Sequence, residues 1–403
     1  MQKILVIGFS TRNIVCSAKR AGYAVYSIDS FQDLDLQKCA DSFASLGCSS
    51  AEELHQLDPF RIKAQIEAFG VQFDAVVLGS GLETLDRGIF TCPVLASSPA
   101  SIEKASNKLK LSKKLRAEGI PHPQCYSIQE LDAIEYPVII KPSSGGGGIF
   151  NRVARNKQEL LNLLDEFAGL DSEFVEKDVV IQAFLKGIPS SVSLLSTKNE
   201  AISVAVNEQL IGVPWLSRMP FAYCGNITPF KHEYTTEMET LAEELVLGFG
   251  LLGSNGVDFL ATESGPIVLE INPRFQGSLD TVEKAMNINL FEAHKGCFKG
   301  ELPEKPFASG FAARGVIYSD RELFIDRKLM DVILRENSAD IPVQGTIVEP
   351  DWPLTSLFSY APTREETVLT LKNRVKKVKA FIENEIKKER SLNSPEKDKT
   401  RAC

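Results

Sequence analysis

The chain contains 403 residues, of which 43 % are hydrophobic and 24 % are charged, as in an ordinary globular protein. At roughly 100–200 residues per domain, this length predicts two to four domains. The formal net charge of −8 argues against non-specific binding to nucleic acid or to acidic lipid. No apolar run reaches the roughly 18 residues that a membrane-spanning helix needs, so we expect no membrane partner.

Residues 1–98 alternate short apolar runs with polar, helix-like stretches. This βαβ alternation is typical of a doubly wound parallel sheet, so we predict a Rossmann-like α/β domain over residues 1–98. The predicted strands are Lys3–Gly8, Ala24–Asp29 and Asp74–Gly79, and the predicted helices are Thr11–Ala21 and Pro59–Phe69.

Ligands of doubly wound sheets bind beyond the carboxyl ends of the strands. The first predicted strand ends at Gly8 without a G-x-G-x-x-G fingerprint, so dinucleotide binding is only weakly supported. The third is followed by Ser80, Gly81 and Glu83. Two interpretations stay open for these three residues: a tight turn that opens a helix, or a contact with the substrate.

Residues 99–300 predict a second, larger unit. A helix is expected from Pro99 to Glu118, because Gly119 is a typical helix-ending residue. The further predicted elements are a strand at Tyr136–Lys141, a helix at Lys157–Phe167, strands at Val179–Leu185 and Val192–Ser196, a helix at Glu237–Gly248, and a hairpin formed by Gly256–Ala261 and Pro266–Ile271.

Residues 301–390 predict a small C-terminal unit, and residues 391–403 a disordered tail. An apolar stripe near the end recurs at helical spacing and is formed by Leu371, Val375, Val378, Ile382 and Ile386. A basic amphipathic helix of this kind can lie on a membrane surface. We favour packing of the stripe onto the C-terminal unit, because the stripe is narrow and acidic residues are interspersed.

A run of glycines follows a predicted buried strand. Lys141 ends that strand, and Ser144 precedes four consecutive glycines, Gly145, Gly146, Gly147 and Gly148. Backbone N–H groups in such a run can wrap a phosphate chain, and Lys141 can supply a point charge to a phosphate. The alternative is a flexible linker, but linkers rarely follow a buried strand that ends in Lys-Pro.

Carboxylates recur on the two strands of the predicted hairpin. Glu270, Asn272 and Arg274 alternate along one strand and therefore point to the same face, and Asp258 lies on the partner strand. Two carboxylates and an amide oxygen are ligands suited to Mg²⁺. Arg274 can then hold a phosphoryl group during its transfer. The alternative is a solvated polar strand face.

In this order and spacing, the motifs resemble the ATP-grasp superfamily over roughly residues 1–300, and the chain looks like its carboligase branch, related to biotin carboxylase and carbamoyl-phosphate synthase. The resemblance implies an ATP-grasp fold over residues 99–300, in which two α+β subdomains grip ATP, with a lid at about 122–186. It also implies that residues 1–98 are the domain that precedes the ATP-grasp unit in this superfamily.

The resemblance also implies roles for individual residues. Lys108 matches the first lysine that binds ATP, Lys141 matches the second, and the glycine run matches the flexible phosphate loop. Gln182 and Leu185 lie in a segment that resembles the hinge reading adenine through backbone atoms. Asp258, Glu270 and Asn272 match the ligands of two Mg²⁺ ions, with Mn²⁺ an acceptable substitute, and Arg274 matches the arginine that binds phosphate or the intermediate.

The sequence departs from its relatives at two positions. Gln182 stands where relatives often carry glutamate, which backbone recognition of adenine should tolerate. Ser278 stands where biotin-carboxylase relatives carry a glutamate base, which argues against bicarbonate chemistry by that route.

The mechanism implied by the resemblance is attack of a substrate carboxylate on ATP, followed by capture of the acyl phosphate by an amine or, less often, by a thiol. The expected partners are therefore a small carboxylate and an amine. An ATP-dependent carboxylase, a small-molecule kinase and a non-catalytic nucleotide-binding module remain alternatives on the same fold. The intact set of matched residues speaks against the last of these.

The acceptor site is less readable. Residues 207–209 and 222–229 are expected to face the acceptor, and Arg314 has two open interpretations: a bidentate ligand of the substrate carboxylate, or a surface ion pair. The eight cysteines are scattered without a Cys-x-x-Cys pair, which predicts reduced thiols and a cytoplasmic location. A homodimer is one option for the assembly.

Overall fold

The first sheet is parallel and begins the chain. A computed structural model describes residues 1–48, 53–54, 57–143, 148, 150–170 and 179–392. The sheet has the strand order β3-β2-β1-β4. Its strands are β1 (Lys3–Ile7), β2 (Ala24–Asp29), β3 (Ser42–Ser45) and β4 (Ala75–Leu78), and its helices are α1 (Arg12–Arg20), α2 (Leu34–Cys39) and α3 (Pro59–Ala68).

Burial of the central strand explains why this sheet forms where the sequence predicts it. Ile4, Leu5, Val6 and Ile7 are all fully buried, because helices cover both faces of a doubly wound sheet. All three predicted strands and both predicted helices are present, and the strand pairs are parallel. The short strand β3 was not predicted, since its residues are only half-buried and carry no apolar run.

The helix predicted from Pro99 to Glu118 is in fact two helices, α4 (Pro99–Ser106) and α5 (Lys108–Ala117). The single-helix prediction is wrong because Asn107 between them has an extended backbone and acts as a cap. Its side-chain oxygen accepts hydrogen bonds from the backbone N–H groups of Leu109 and Lys110, at 3.1 and 3.0 Å. The break places Lys108 at the first position of a new helix.

A second sheet of four antiparallel strands lies in the range expected to act as a lid. Its strand order is β5-β8-β6-β7. The elements are β5 (Cys125–Tyr126), β6 (Val138–Pro142), β7 (Arg152–Ala154), α6 (Lys157–Leu170) and β8 (Val179–Ala183). The sheet has its own apolar core, in which Val138 and Ile140 of β6 pack with Leu160 and Phe167 of α6.

The third sheet has eight strands and extends from the centre of the chain into its C-terminal part. The elements in its central part are β9 (Ile188–Ser196), β10 (Ala201–Ile211), β11 (Tyr223–Thr228), α7 (Thr235–Gly248), β12 (Gly253–Thr262), β13 (Gly265–Asn272), α8 (Leu279–Met286) and α9 (Leu290–Cys297). Helix α7 packs on one side with Met238 and Leu245 fully buried. The predicted hairpin is confirmed as β12 and β13.

The C-terminal elements continue the same sheet. They are β14 (Phe311–Tyr318), β15 (Leu323–Phe324), α10 (Arg327–Leu334), β16 (Ser338–Ala339), β17 (Ile347–Val348), β18 (Pro353–Ala361) and α11 (Arg364–Leu392). The sheet order is β13-β12-β9-β10-β11-β14-β18-β16, while β15 and β17 form a separate two-stranded sheet. The seam is the antiparallel pair β11 and β14, in which Gly225 faces Gly315.

The apolar stripe of the C-terminal helix packs inward. Leu371, Val375 and Val378 of α11 are buried in one core with Ala313 of β14 and Leu357 of β18. This confirms packing over a membrane-surface role for the stripe. Helix α11 continues to Leu392, and the rest of the predicted disordered tail, residues 393–403, lies outside the described residues. No described helix is long and apolar enough to span a membrane.

Two cysteines of the first sheet form a disulfide bond, which contradicts the expectation that all thiols are reduced. Cys16 of α1 is bonded to Cys39 of α2, with their Cα atoms 5.2 Å apart. The pair was missed because its 23-residue separation matches no motif, whereas adjacent packing of the two helices brings the thiols together. The other described cysteines, Cys48, Cys92, Cys125, Cys224 and Cys297, are not disulfide-bonded.

Candidate active site

A cavity of about 1370 Å³ lies where the three sheets meet, and its wall draws residues from each of them. Two parts of the wall carry charged groups. The part that we call the lysine region contains Lys108, Lys141, Gln182, Asp258 and Glu270. The part that we call the aspartate region contains Ser30, Phe31, Asp33, Asp340 and Trp352.

The two lysines of the lysine region are held by a direct link between α5 and β6. The backbone N–H of Lys108 donates to the carbonyl of Ser143 at 3.0 Å, just beyond the end of the strand that carries Lys141. The Lys108 ammonium lies 3.4 Å from the Glu270 carboxylate. Burial, followed by the nearby charge of Lys108, lowers the pKa of Lys141 to about 8. Two buried cations this close together favour an anionic ligand.

Asp258 and Glu270 face each other across the hairpin of β12 and β13. Burial and the Glu270 charge raise the pKa of Asp258 well above its usual range. Burial also acts to raise the pKa of Glu270, but Lys108 and Lys141 outweigh it and hold that pKa at about 2. The pair therefore retains negative charge on Glu270, and a bound cation would relieve the repulsion that Asp258 experiences.

Asn272 completes an oxygen-bearing set with these carboxylates. Its side-chain nitrogen donates to Asp258 at 3.2 Å, and its side-chain oxygen accepts from Arg274 at 3.3 Å. Carboxylate and amide oxygens are the donors that Mg²⁺ prefers. Among the described residues, no three His, Cys, Asp or Glu side chains form a metal-binding group, so this set of two carboxylates and one amide would need phosphate or water oxygens as well.

Arg274 connects the metal-binding candidates to the first sheet. Its guanidinium forms an ion pair with Glu83 at 2.7 Å. Of the three residues left open after the third predicted strand, Ser80 lines the cavity, Glu83 pairs with Arg274, and Gly81 has a positive φ of 83° that suits a tight turn. The tight turn is therefore confirmed, although only a short 3₁₀ helix at Arg87–Ile89 follows it, and contact with the substrate stays a prediction.

The hinge residues Gln182 and Leu185 both line the cavity. The amide nitrogen of Gln182 donates to the Cys125 sulfur at 3.1 Å, while its buried side-chain oxygen has no hydrogen-bond partner among the described residues. The backbone N–H groups of Ala183 and Phe184 already donate hydrogen bonds to backbone carbonyls just before strands β5 and β6. The sequence suggested recognition mainly through backbone atoms; the structure adds a buried side-chain acceptor that suits an amino group.

The glycine run is only partly within the described residues, because Ser144, Gly145, Gly146 and Gly147 lie outside them. Gly148 is described and lines the cavity. Its φ is 72°, and a Cβ atom at this position would lie 2.0 Å from the carbonyl oxygen of Phe221. Only glycine fits this close approach of the lid segment to the wall formed by Phe221.

Several residues expected to face the acceptor are structural instead. Asn207, Asn226 and Thr228 are fully buried in a hydrogen-bonded network, in which the Thr228 hydroxyl donates to Asn207 at 2.6 Å. None of these three lines the cavity, whereas Gln209 and Tyr223 from the same segments do. Alternation along a strand sends neighbours to opposite faces, and the sequence did not show which face meets the cavity.

Of the two interpretations left open for Arg314, a surface ion pair is wrong, while contact with a substrate carboxylate stays a prediction, because Arg314 lines the cavity. Its side chain is 13 % exposed, and its guanidinium donates to Asp340 at 2.6 Å, to the Gly277 carbonyl at 2.8 Å and to the Ser356 hydroxyl at 2.9 Å. The carboxylate that pairs with it is thus one of the protein's own, and the ion pair is internal rather than on the surface.

The ion pair of Arg314 belongs to a larger cluster that we call the arginine hub, formed by Arg12, Asp35, Asp280, Arg314 and Asp340. Arg12 binds Asp280 with two hydrogen bonds of 2.8 and 2.9 Å and binds Asp340 at 2.8 Å. Sequence analysis missed the hub because its members come from α1, α2, α8, β14 and the loop after β16. Arg12 and Asp340 are 328 positions apart.

Comparison with known proteins agrees with this geometry. Residues 105–278 match the ATP-grasp domain family, so this part of the chain is an ATP-grasp domain, preceded by the doubly wound sheet. Over 366 residues the chain is 25 % identical to an uncharacterised protein of Methanocaldococcus jannaschii, covering 89 % of this chain and 88 % of the relative.

Solved structures show the same fold at low sequence identity. The biotin carboxylase domain of Hydrogenobacter thermophilus 2-oxoglutarate carboxylase, a dimer in complex with MgADP and bicarbonate, is similar with a TM-score of 0.69 and 18 % identity, covering 91 % of this chain and 88 % of that chain. The L-amino acid ligase of Bacillus licheniformis gives a TM-score of 0.68 at 15 % identity, covering 94 % and 98 %.

Proposed function

We propose that this protein is an ATP- and Mg²⁺-dependent ligase that activates a substrate carboxylate as an acyl phosphate for capture by an amine. The observation that carries the proposal is the meeting of two buried lysines with Asp258 and Glu270 in one wall of the cavity. Cations that attract phosphate oxygens lie there beside carboxylates that attract Mg²⁺. Fold similarity to an amino acid ligase supports the amine as acceptor.

In this proposal, different residues of the cavity wall bind the phosphates, the adenine and the metal. Lys108 and Lys141 would bind the phosphates, with the glycine run over them, and Gln182 and Leu185 would contact the adenine. Asp258, Glu270 and Asn272 would hold Mg²⁺ through their carboxylate and amide oxygens. The metal, when bound, supplies positive charge that offsets the charge on the transferring phosphoryl group.

The reaction itself needs two displacements. An oxygen of the substrate carboxylate attacks the γ-phosphorus, and the bond to ADP breaks. The amine nitrogen then attacks the acyl carbon, phosphate leaves with the electrons of the C–O bond, and the nitrogen loses a proton. Arg274, which is paired with Glu83, would hold the phosphoryl oxygens through both steps.

The reaction class is tested by screening mixtures of acids and amines for ADP release and reading the product masses. An amide product whose formation needs both partners supports ligation. Bicarbonate dependence would overturn it in favour of carboxylation, and a stable phosphorylated product would overturn it in favour of a kinase. The Ser278 hydroxyl, which lies 3.2 Å from that of Ser193, supports ligation because no carboxylate base stands at this position.

Lys141→Ala is expected to weaken ATP binding by about 10- to 150-fold, since a hydrogen bond between charged groups contributes about 1.5–3 kcal/mol. The fold should persist, because a buried lysine with a lowered pKa contributes little to stability. Calorimetry with Mg²⁺ and ATP measures the effect. Lys157→Ala removes an exposed lysine of α6, the helix that packs on the same sheet, and should leave the affinity unchanged; equal affinities for the two variants would contradict the assignment.

Gly148→Ala is expected to weaken ATP binding by about 5- to 30-fold, because a left-handed backbone costs a residue with a Cβ about 1–2 kcal/mol. The collision with the Phe221 carbonyl adds to this cost. Gly119→Ala is the matched control, since Gly119 has a φ of 69°, has open space where a Cβ would lie, and is outside the cavity. Titration of both variants with ATP compares them, and a loss shared by the control would place the cause in general stability.

A further inference from the structure

Asp33 lines the cavity, and its carboxylate has no hydrogen bond to any of the described residues. Asp33 is 7 % exposed and lines the aspartate region. It stands at the start of α2, yet its side chain caps no backbone N–H there, and it accepts no hydrogen bond from the described residues. Burying a carboxylate without partners is costly, so a residue of this kind is expected to meet a ligand.

Asp29, a buried carboxylate at the end of β2, has the hydrogen bonds that Asp33 lacks. Asp29 accepts hydrogen bonds from the backbone N–H groups of Thr11, Phe31 and Gln32 and from the Thr11 hydroxyl, at 2.6 to 2.9 Å. Asp33 lies only four residues further along, so the same loop satisfies one carboxylate completely and directs the other into the cavity.

The charges around Asp33 do not balance. Asp340, Asp29 and Asp35 all act on it unfavourably, and Arg12 is the cation that offsets them. Arg12 itself is already shared among Asp35, Asp280 and Asp340. Burial and then these carboxylates raise the pKa of Asp33 well above its usual range. The aspartate region therefore has an excess of negative charge that a cationic group would complement.

Apolar side chains line the cavity beside the charged ones. Phe31 and Trp352 meet edge to face with ring centroids 6.1 Å apart, and both line the cavity. Val343 and Ile347 extend the apolar wall, and Ile347 is exposed at the surface. Aromatic rings accept both a cation and an aryl group, so the wall suits an organic cation better than a hydrated ion.

We propose that the aspartate region binds a primary ammonium group carried on an apolar, aryl-sized body, and that Asp33 is the anion that receives the ammonium. We favour an organic cation over a metal ion because Phe31 and Trp352, which offer no metal-binding oxygen or sulfur in their side chains, line the same region. The role as a substrate site rests on the proposed ligase function, in which the amine-bearing substrate shares this cavity. The binding itself does not require ATP.

The test uses two probes of equal shape on the full chain without nucleotide: 2-phenylethylammonium and the neutral 2-phenylethanol. Calorimetry should show at least about tenfold tighter binding of the ammonium, the advantage of about 1.4 kcal/mol that a modest charge-assisted contact provides. Asp33→Asn should reduce this preference to less than about threefold. Asp331→Asn, which removes a carboxylate of α10 outside the cavity, should retain it.

Three outcomes would overturn the proposal. They are the absence of ammonium binding by the wild-type chain at any soluble concentration, equal affinity for the two probes, and a preference that survives Asp33→Asn. Mg²⁺ or Ca²⁺ binding that depends on Asp33 would replace it with a metal site. Because neither probe needs ATP, failure here would leave the Lys141 result standing, and failure of the ligase proposal would leave this binding result standing.

A stability measurement separates binding from a structural role. Removing an unpaired buried charge should leave the melting temperature of Asp33→Asn at pH 7 equal to or above that of the wild type. The sign follows from the raised pKa of Asp33, which makes its ionised form a destabilising one above the pKa of the unfolded chain. A clear drop in melting temperature would mean that Asp33 supports the fold, and would also overturn the proposal.

Discussion

Glu270→Gln is expected to lower ADP release by about two to three orders of magnitude, equivalent to about 3–4 kcal/mol of lost transition-state stabilisation. Nucleotide binding should fall much less, because Lys108, Lys141 and the hinge remain. Glutamine keeps the size and one oxygen of the side chain but removes the charge. Metal ions misplaced by that loss would no longer offset the charge that shifts as the phosphoryl group moves.

The position of Glu270 in the hairpin explains why its substitution should have a large effect on ADP release. It faces Asp258 across the hairpin and lies 3.4 Å from Lys108, so it stands between the candidate metal ligands and the candidate phosphate ligands. The measurement compares ADP release and ATP affinity, with the acid and amine found by screening. Glu263→Gln, in the exposed turn of the same hairpin, is the matched control. Turnover of Glu270→Gln at the wild-type rate would place the metal site elsewhere.

Asp340→Asn is expected to lower the free energy of unfolding by about 3–5 kcal/mol, the usual effect of removing one partner from a buried ion pair. Asp340 binds both arginines of the arginine hub, Arg12 at 2.8 Å and Arg314 at 2.6 Å. Asparagine tolerates the left-handed backbone of Asp340, whose φ is 52°, so the loss is one of charge rather than of backbone conformation. Urea unfolding measures the difference.

Asp351→Asn provides the control, because Asp351 also has a positive φ and also pairs with an arginine, Arg218 at 2.6 Å, but on the surface. Exposed ion pairs contribute little, so this variant should unfold close to the wild type. Equal destabilisation by the two variants would show that the hub is no stronger than a surface pair.

The pH dependence of the Asp340 effect has a definite sign. Burial acts to raise the pKa of Asp340, but Arg12 and Arg314 outweigh it and hold that pKa well below its usual range. Its stabilising effect is therefore present above the unfolded value of about 3.9 and is lost as the pH falls through the lower folded value. The difference in the free energy of unfolding between the wild type and Asp340→Asn should become smaller as the pH falls below 4. A difference that grows there would contradict the assignment.

The sequence predicted those parts of the site in which neighbours in the chain are neighbours in space. Asp258 and Glu270 belong to one hairpin, so strand alternation alone placed them together with Asn272. The break at Asn107 was also within reach, because an asparagine before a helical segment is a capping signal. The prediction of one helix followed the continuous helical pattern and disregarded this capping signal, whereas the backbone breaks at Asn107.

The parts that could not be predicted depend on contacts between distant segments. Nothing near Arg12 in the sequence indicates that Asp280 and Asp340 will surround it, because burial of the arginine requires three parts of the chain to be in place. The same holds for Asp33. Its environment becomes visible only when Trp352, more than three hundred positions later, packs against Phe31 in the cavity wall.

The seam between β11 and β14 makes the C-terminal residues inseparable from the ATP-grasp domain. At this seam Gly225 has a φ of 113°, and a Cβ there would lie 2.0 Å from the Arg314 carbonyl oxygen. The close pairing of the two strands therefore requires a glycine at this position. A fragment truncated near residue 300 would leave β11 as an unpaired edge strand, a surface that promotes aggregation. The ATP-grasp domain therefore cannot be moved into another protein without the C-terminal strands, and a chimera built from it has to include the whole eight-stranded sheet.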